Sequence, residues 1–158
     1  MDGHQHYYKD LGFDNEEFRR LRRSSQPHDA DLYFEQFFPG AVERLLAENE
    51  HQECIFDLGA GHTVYDDEAL FAHVQQALAP YPNVVLVMPS PDQDESVRIL
   101  REREKQRQIN PDFLSDDFDY FGRWVKSHCN YDLAKITVYT QGKTPEETCE
   151  EVLQALRR

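Results

Sequence analysis

Asn83-Val84-Val85-Leu86-Val87-Met88-Pro89-Ser90-Pro91-Asp92-Gln93 is the stretch on which the reading of the fold turns. Residues 84–88 are apolar without alternation, as expected of a strand covered on both faces in a parallel sheet. Ser90-Pro91-Asp92-Gln93 then opens a helix, with a capping-box pattern and proline at the first helical position. That helix runs through Val97 and Leu100 into Arg101-Glu102-Arg103-Glu104-Lys105-Gln106-Arg107, which is polar all round and so reads as solvated or mobile.

Beyond it lie an acidic, aromatic stretch at 112–120 and a short helix around Trp124. Ile136-Thr137-Val138-Tyr139 alternates like a strand, and Gln141-Gly142-Lys143 turns. Thr144-Pro145-Glu146-Glu147 starts a last helix, because Thr144 can cap an amide while Glu147 reaches back. Val152, Leu153 and Leu156 are its expected buried stripe.

Upstream, Cys54-Ile55-Phe56-Asp57-Leu58 is a short apolar run ended by Gly59-Ala60-Gly61, and it reads as another buried strand. Residues 66–78 follow as a helix with Leu70, Phe71, Val74 and Leu78 on one face, stopped by Pro80-Tyr81-Pro82. Residues 1–50 form a helical, aromatic-rich segment. Phe18 and Leu21 share one helical face before Ser24-Ser25-Gln26-Pro27 interrupts. Residues 31–38 carry Leu32, Phe34, Phe37 and Phe38 and end at Pro39-Gly40, and Val42, Leu45 and Leu46 mark a further helix.

Strand–helix–strand–helix and then strand–helix argue for a single three-layer α/β domain over residues 1–158, with a mostly parallel sheet. Ligands of such folds bind beyond the carboxyl ends of the strands. Residues 57–62, 89–92 and 141–144 are expected to gather there.

A length of 158 residues suits one domain with a real core. The 39% hydrophobic and 30% charged fractions, with 10 Phe, 8 Tyr and one Trp, indicate a soluble globular chain. Seventeen Lys+Arg against 30 Asp+Glu give a net charge of −13, which disfavours nucleic acids and anionic membranes as partners. The local basic stretch at 98–107 still suits one anionic metabolite. Cys54, Cys129 and Cys149 show no CxxC spacing, and neither a signal peptide nor a membrane-length apolar run is visible. Reduced thiols in a cytoplasm are the expectation.

These segments resemble an ordered part of a known family. Residues 84–92, with Arg98 and Arg101 in the following helix, are similar to the fourth strand and lid-entry helix of shikimate kinases. Asn130-Tyr131-Asp132-Leu133-Ala134 through Glu147 resembles the ending of those kinases, where a tyrosine-containing helix leads to a strand, a nucleotide-base loop and a last helix. Residues 54–61 look like their third strand and its glycine turn. The resemblance covers roughly residues 53–158 and implies a P-loop-kinase-like core with a lid around 101–122, acting with ATP and Mg2+. It implies that Asp57 assists magnesium and catalysis and that Arg101 and Arg103 cover the phosphates. Asp2, Gly59, Ala60, Gly61 and Tyr131 would meet the acceptor substrate, and Gly142, Lys143, Thr144 and Pro145 would contact adenine.

Two departures bear on activity. Nothing in the sequence matches the GxxxxGK[ST] loop, and the family's substrate-binding arginine before the tyrosine helix is replaced by Ser127-His128-Cys129-Asn130. Phosphoryl transfer depends on loop amides, a lysine and magnesium. A chain lacking that loop is expected not to transfer phosphate alone. It is either a portion of a longer kinase-like protein or a non-catalytic α/β binding or scaffold protein. In the family the first strand lies between the third and fourth, so its absence leaves two apolar strand edges to pair directly or recruit another segment.

Other readings compete. Ile55 to His62 also looks like the glycine-rich first motif of S-adenosylmethionine methyltransferases, although Thr63 stands where a third glycine belongs and Asp92 comes late for a ribose contact. Asp57 also reads as a turn cap, residues 98–107 as a solvated helix balanced by Glu102 and Glu104, and Gly142 to Pro145 as a plain turn and cap. His4 with His6, and His128 with Cys129, fit no recognised zinc spacing. No Ser/His/Asp order points to a hydrolase.

Overall fold

The computed structural model describes residues 3–24, 28–59, 62–109, 111–114 and 118–157, and the side chains of all of these except 3–6, 111 and 112. The chain divides into two compact units, Met1–Pro80 and Tyr81–Arg158.

The first unit is helical. It comprises α1 (Gly3–Asp10), α2 (Asn15–Arg22), α3 (His28–Glu35), α4 (Phe38–Glu48) and α5 (Glu68–Leu78). Aromatic rings hold it together. Phe34 lies 4.8 Å from Tyr8, 5.1 Å from Phe13 and 4.8 Å from Phe38, in the tilted and edge-on arrangements that ring quadrupoles favour. Val42, Val64 and Val74 are almost wholly buried. Asp14 caps α2 and Asp67 caps α5 through side-chain bonds to the first-turn amides. The expected break at Pro39-Gly40 is instead the start of α4. Proline fits the first turn of a helix, where its missing N–H leaves no bond unmade.

The second unit holds β1 (Val85–Met88), α6 (Gln93–Arg107), a 3-10 turn (Pro111–Leu114), α7 (Tyr120–Lys126), α8 (His128–Leu133), β2 (Ile136–Tyr139) and α9 (Pro145–Leu156). β1 and β2 pair in parallel, with Val85 opposite Ile136 and Met88 opposite Tyr139. The two parallel strands joined through helices are as the sequence predicts. The helix after β1 begins at Gln93 rather than at Pro91, because Asp92 is the residue whose carboxylate takes the Glu95 amide.

Three expectations are corrected. Residues 54–58 form no strand: Ile55 is 99% exposed, and the segment runs without regular structure. A strand needs a neighbour to satisfy its amides, and its unit supplies none among the described residues. The sheet therefore has two strands, and the architecture is a helix-rich α/β one, not three full layers. The stripe of α9 is also uncovered, with Leu153 47% and Leu156 37% exposed. Two strands roughly 5 Å apart are too narrow a floor to cover it.

Candidate functional site

The second unit brings two of the three expected turns together. Beyond the last paired residues the ladder continues, as the Thr140 amide donates to the Met88 carbonyl at 2.9 Å and Gln141 donates to Pro89 at 2.8 Å. The turn leaving β1 is thus bonded to the turn leaving β2. Ser96, fully buried, fixes the first of them. Its hydroxyl accepts from the Ser90 amide at 3.0 Å and donates to the Ser90 carbonyl at 2.8 Å. The Gln141 side chain donates to Glu95 at 3.1 Å, tying the second turn to the start of α6.

The second turn needs glycine. Gly142 has φ +75°, which other residues rarely adopt, and a Cβ built there meets nothing within 4 Å. Thr144 and Glu147 form the expected reciprocal cap of α9, behind Pro145. Lys143 folds back, donating to the Tyr139 carbonyl at 2.8 Å and pairing with Glu151.

Two of the five basic residues of α6, Arg98 and Arg101, are held by carboxylates. Arg98 makes a two-pronged bond to Glu95 at 2.8 Å, and the hydrogen bond with Arg98 holds the Glu95 carboxyl below its usual range. Arg101 donates to Asp119 at 2.9 Å, and Asp119 also takes the Gly122 amide to cap α7. Burial pushes the Asp119 carboxyl up, but Arg101 and the Gly122 amide outweigh it and leave the group below its ordinary value. Arg103 reaches the end of β2, donating to the neutral Thr140 hydroxyl at 3.4 Å. Of the residues expected to face phosphate, Arg103 is thus directed at the strand ends, and Arg101 is held by Asp119. Tyr131 spends its hydroxyl on the Val125 carbonyl at 2.9 Å, joining α8 to α7.

Asp57 and Gly59 belong to the first unit. Asp57 is exposed, and its Oδ1 accepts from the Gly59 amide at 3.0 Å, the turn-capping role of an aspartate. Gly59, with φ +61°, sits where the turn demands it. Asp2, Ala60 and Gly61 lie outside the described residues, as do the side chains of His4 and His6. No cluster of three or more His, Cys, Asp or Glu among the described residues is arranged to hold a metal. Asp57 alone does not make a magnesium site, since that ion wants octahedral oxygen ligation. His128 pairs with Asp132 at 2.9 Å, and Cys129 is buried.

Behind Asp57 is a cavity of about 210 Å3. Ala41, Val42 and Leu45 of α4, with Ile55 and Leu58, make its apolar wall, and Tyr8 and His62 meet there, hydroxyl to Nε2. Burial pushes the Tyr8 phenol up to about 12, so it stays protonated. Sequence reading missed this pair, for 54 positions separate the two and no local pattern links them.

Among the described residues no helix is long and apolar enough to cross a membrane. No protein family, curated protein or solved structure matches this chain.

Proposed function

We propose that this chain is a nucleotide-binding α/β protein related to the ATP-dependent small-molecule kinases it resembles. On this reading it holds the nucleotide base at the turn between β2 and α9 and transfers no phosphate by itself. The observation that carries the proposal is the stitched pair of strand ends. Pro89 and Gln141 are bonded at 2.8 Å, with the open face of Gly142 beside them. Ligands of parallel sheets bind at such ends, and backbone groups exposed at a glycine turn can meet a purine ring closely.

Three of the cations near those ends argue against a triphosphate cradle, and Arg103, on the neutral Thr140 hydroxyl, is the exception. Arg98, Arg101 and Lys143 would each have to leave a carboxylate partner to take a phosphate. Magnesium would find no preformed ligand set among the described residues. Affinity then comes from the base and not from the phosphates.

Calorimetry on the 158-residue chain tests this. Adenosine and Mg-ATP should bind with affinities within about tenfold of one another, and Gly142→Val should remove both, because a branched residue cannot take that backbone conformation. Mg-ATP binding more than about a hundredfold tighter than adenosine would reveal a phosphate cradle and end the claim of incapacity. Silence with both would favour a non-catalytic binding or scaffold protein, a reading that the uncovered Leu153 and Leu156 of α9 also support. A response to S-adenosylmethionine alone would favour a methyltransferase. Against that stands Asp92, whose carboxylate is engaged in capping α6.

A further inference from the structure

The cavity of the first unit has a chemistry of its own. Its wall is apolar, and at about 210 Å3 it is smaller than the roughly 300–1,000 Å3 of a site for drug-sized ligands. A single ring with a short tail is the size that fits. The charges around it are lopsided. Asp57 lines it, and Tyr7, which also lines it, donates to Glu48 at 3.0 Å. Arg44 stands over the Tyr7 ring, 5.3 Å from its centroid. That guanidinium is divided between Asp10 at 2.6 Å and Glu48 at 2.7 Å. Among the described residues the lining thus holds the Asp57 carboxylate and no Lys or Arg.

We propose that this cavity is a binding site for a small organic cation, an apolar ring or branched chain carrying an ammonium group. The apolar body lies against Val42, Leu45 and Leu58, and the ammonium lies toward Asp57 at the turn. An anion of the same size meets the Asp57 carboxylate and an apolar wall, so it is rejected. The proposal does not depend on nucleotide binding in the second unit, and adenosine titration of the same samples keeps the two readings distinguishable.

The test titrates the full chain with phenethylammonium chloride, 2-phenylethanol and phenylacetate, followed by amide NMR. Phenethylammonium should bind with a dissociation constant on the order of 1 mM, ordinary for so small a ligand, and should shift the signals of Tyr8, Val42 and His62. The alcohol should bind at least about fivefold more weakly, and phenylacetate not at all at about 10 mM. Asp57→Asn keeps the acceptor for the Gly59 amide while removing the charge. It should reduce the ammonium compound to the affinity of the alcohol. Leu45→Trp, changing a half-buried wall residue, should fill the space and abolish binding of both. Equal binding of all three compounds, indifference to Asp57→Asn, binding that survives Leu45→Trp, or no binding of the ammonium compound would each overturn the assignment.

Discussion

Residues 54–58 and 84–88 are both short apolar runs followed by a turn, yet only the second contains a strand. The contrast lies in what each finds in its own unit. Val85–Met88 meets Ile136–Tyr139 in parallel register, so its carbonyls and amides on that side are satisfied. Residues 54–58 have a helical unit around them, and Ile55 ends up exposed. Strand formation belongs to the pair and not to the pentapeptide. Both units use packed rings, capped helices and side chains that reach the backbone, and the second adds a backbone ladder between strands.

The hardest test of that contrast falls on Glu35. It is 2% exposed, and its Oε1 accepts from the amides of Asp66 and Asp67 at 2.7 and 3.1 Å. This carboxylate does for the entrance to α5 what a neighbouring strand would do elsewhere. Glu35→Ala should cost about 3 kcal/mol in urea unfolding followed by far-UV circular dichroism, through two amides left without their acceptor. Glu35→Gln, which keeps a carbonyl in place, should recover most of the loss. A small cost for the alanine variant would mean that the first unit does not depend on this reach.

The counterpart in the second unit is Ser96. Its hydroxyl serves both the amide and the carbonyl of Ser90, in a fully buried position. Ser96→Ala should destabilise by about 2 kcal/mol and loosen the turn on which the proposed base site rests. Adenosine affinity should fall with it. Intact affinity in a destabilised variant would separate the turn from the site.

What the sequence made legible follows the same division. β1, β2 and the cap at Thr144 are encoded locally, by an apolar run, an alternation and a Thr-x-x-Glu spacing, and they appear where those signals put them. Glu35 and the Tyr8–His62 pair carry no local signal, because their partners are 31 and 54 positions away. The buried stripe expected on α9 failed for a related reason. Val152, Leu153 and Leu156 have the right period, but period says only which residues share a face and not whether anything covers them. The Asp57 turn was legible as a cap, and the cavity behind it was not.

A milder probe of the capped helices is Thr144→Ala. It removes the acceptor for the Glu147 amide at 3.2 Å and leaves the reciprocal Glu147 bond in place. The loss should be about 1 kcal/mol, the usual worth of an N-cap hydroxyl. Thermal melts of the variant and of Thr144→Ser, which keeps the hydroxyl, measure it. An equal loss in both variants would shift the credit from the cap to packing of the Thr144 methyl group.

The smallest effect is electrostatic and sits at Asp119. Its carboxyl lies below the ordinary value because Arg101 and the Gly122 amide outweigh the opposing pull of burial. A carboxylate depressed in the folded state stabilises it fully above the unfolded value, near pH 4, and loses that contribution as pH falls through the folded value. Asp119→Asn keeps an acceptor for Gly122 and removes the charge facing Arg101. Because the side chain is 54% exposed, solvent screens the pair, and the difference between wild type and variant should be only roughly 0.5 kcal/mol at pH 6. That gap should close by about pH 2, and should shrink in high salt at neutral pH. The lone tryptophan, Trp124, sits in the helix that Asp119 caps, so its fluorescence during urea titration reads the effect locally. A gap that widened as the pH fell would mean the carboxylate is better tolerated in the unfolded chain, and the Arg101 pairing would then not be what holds the start of α7.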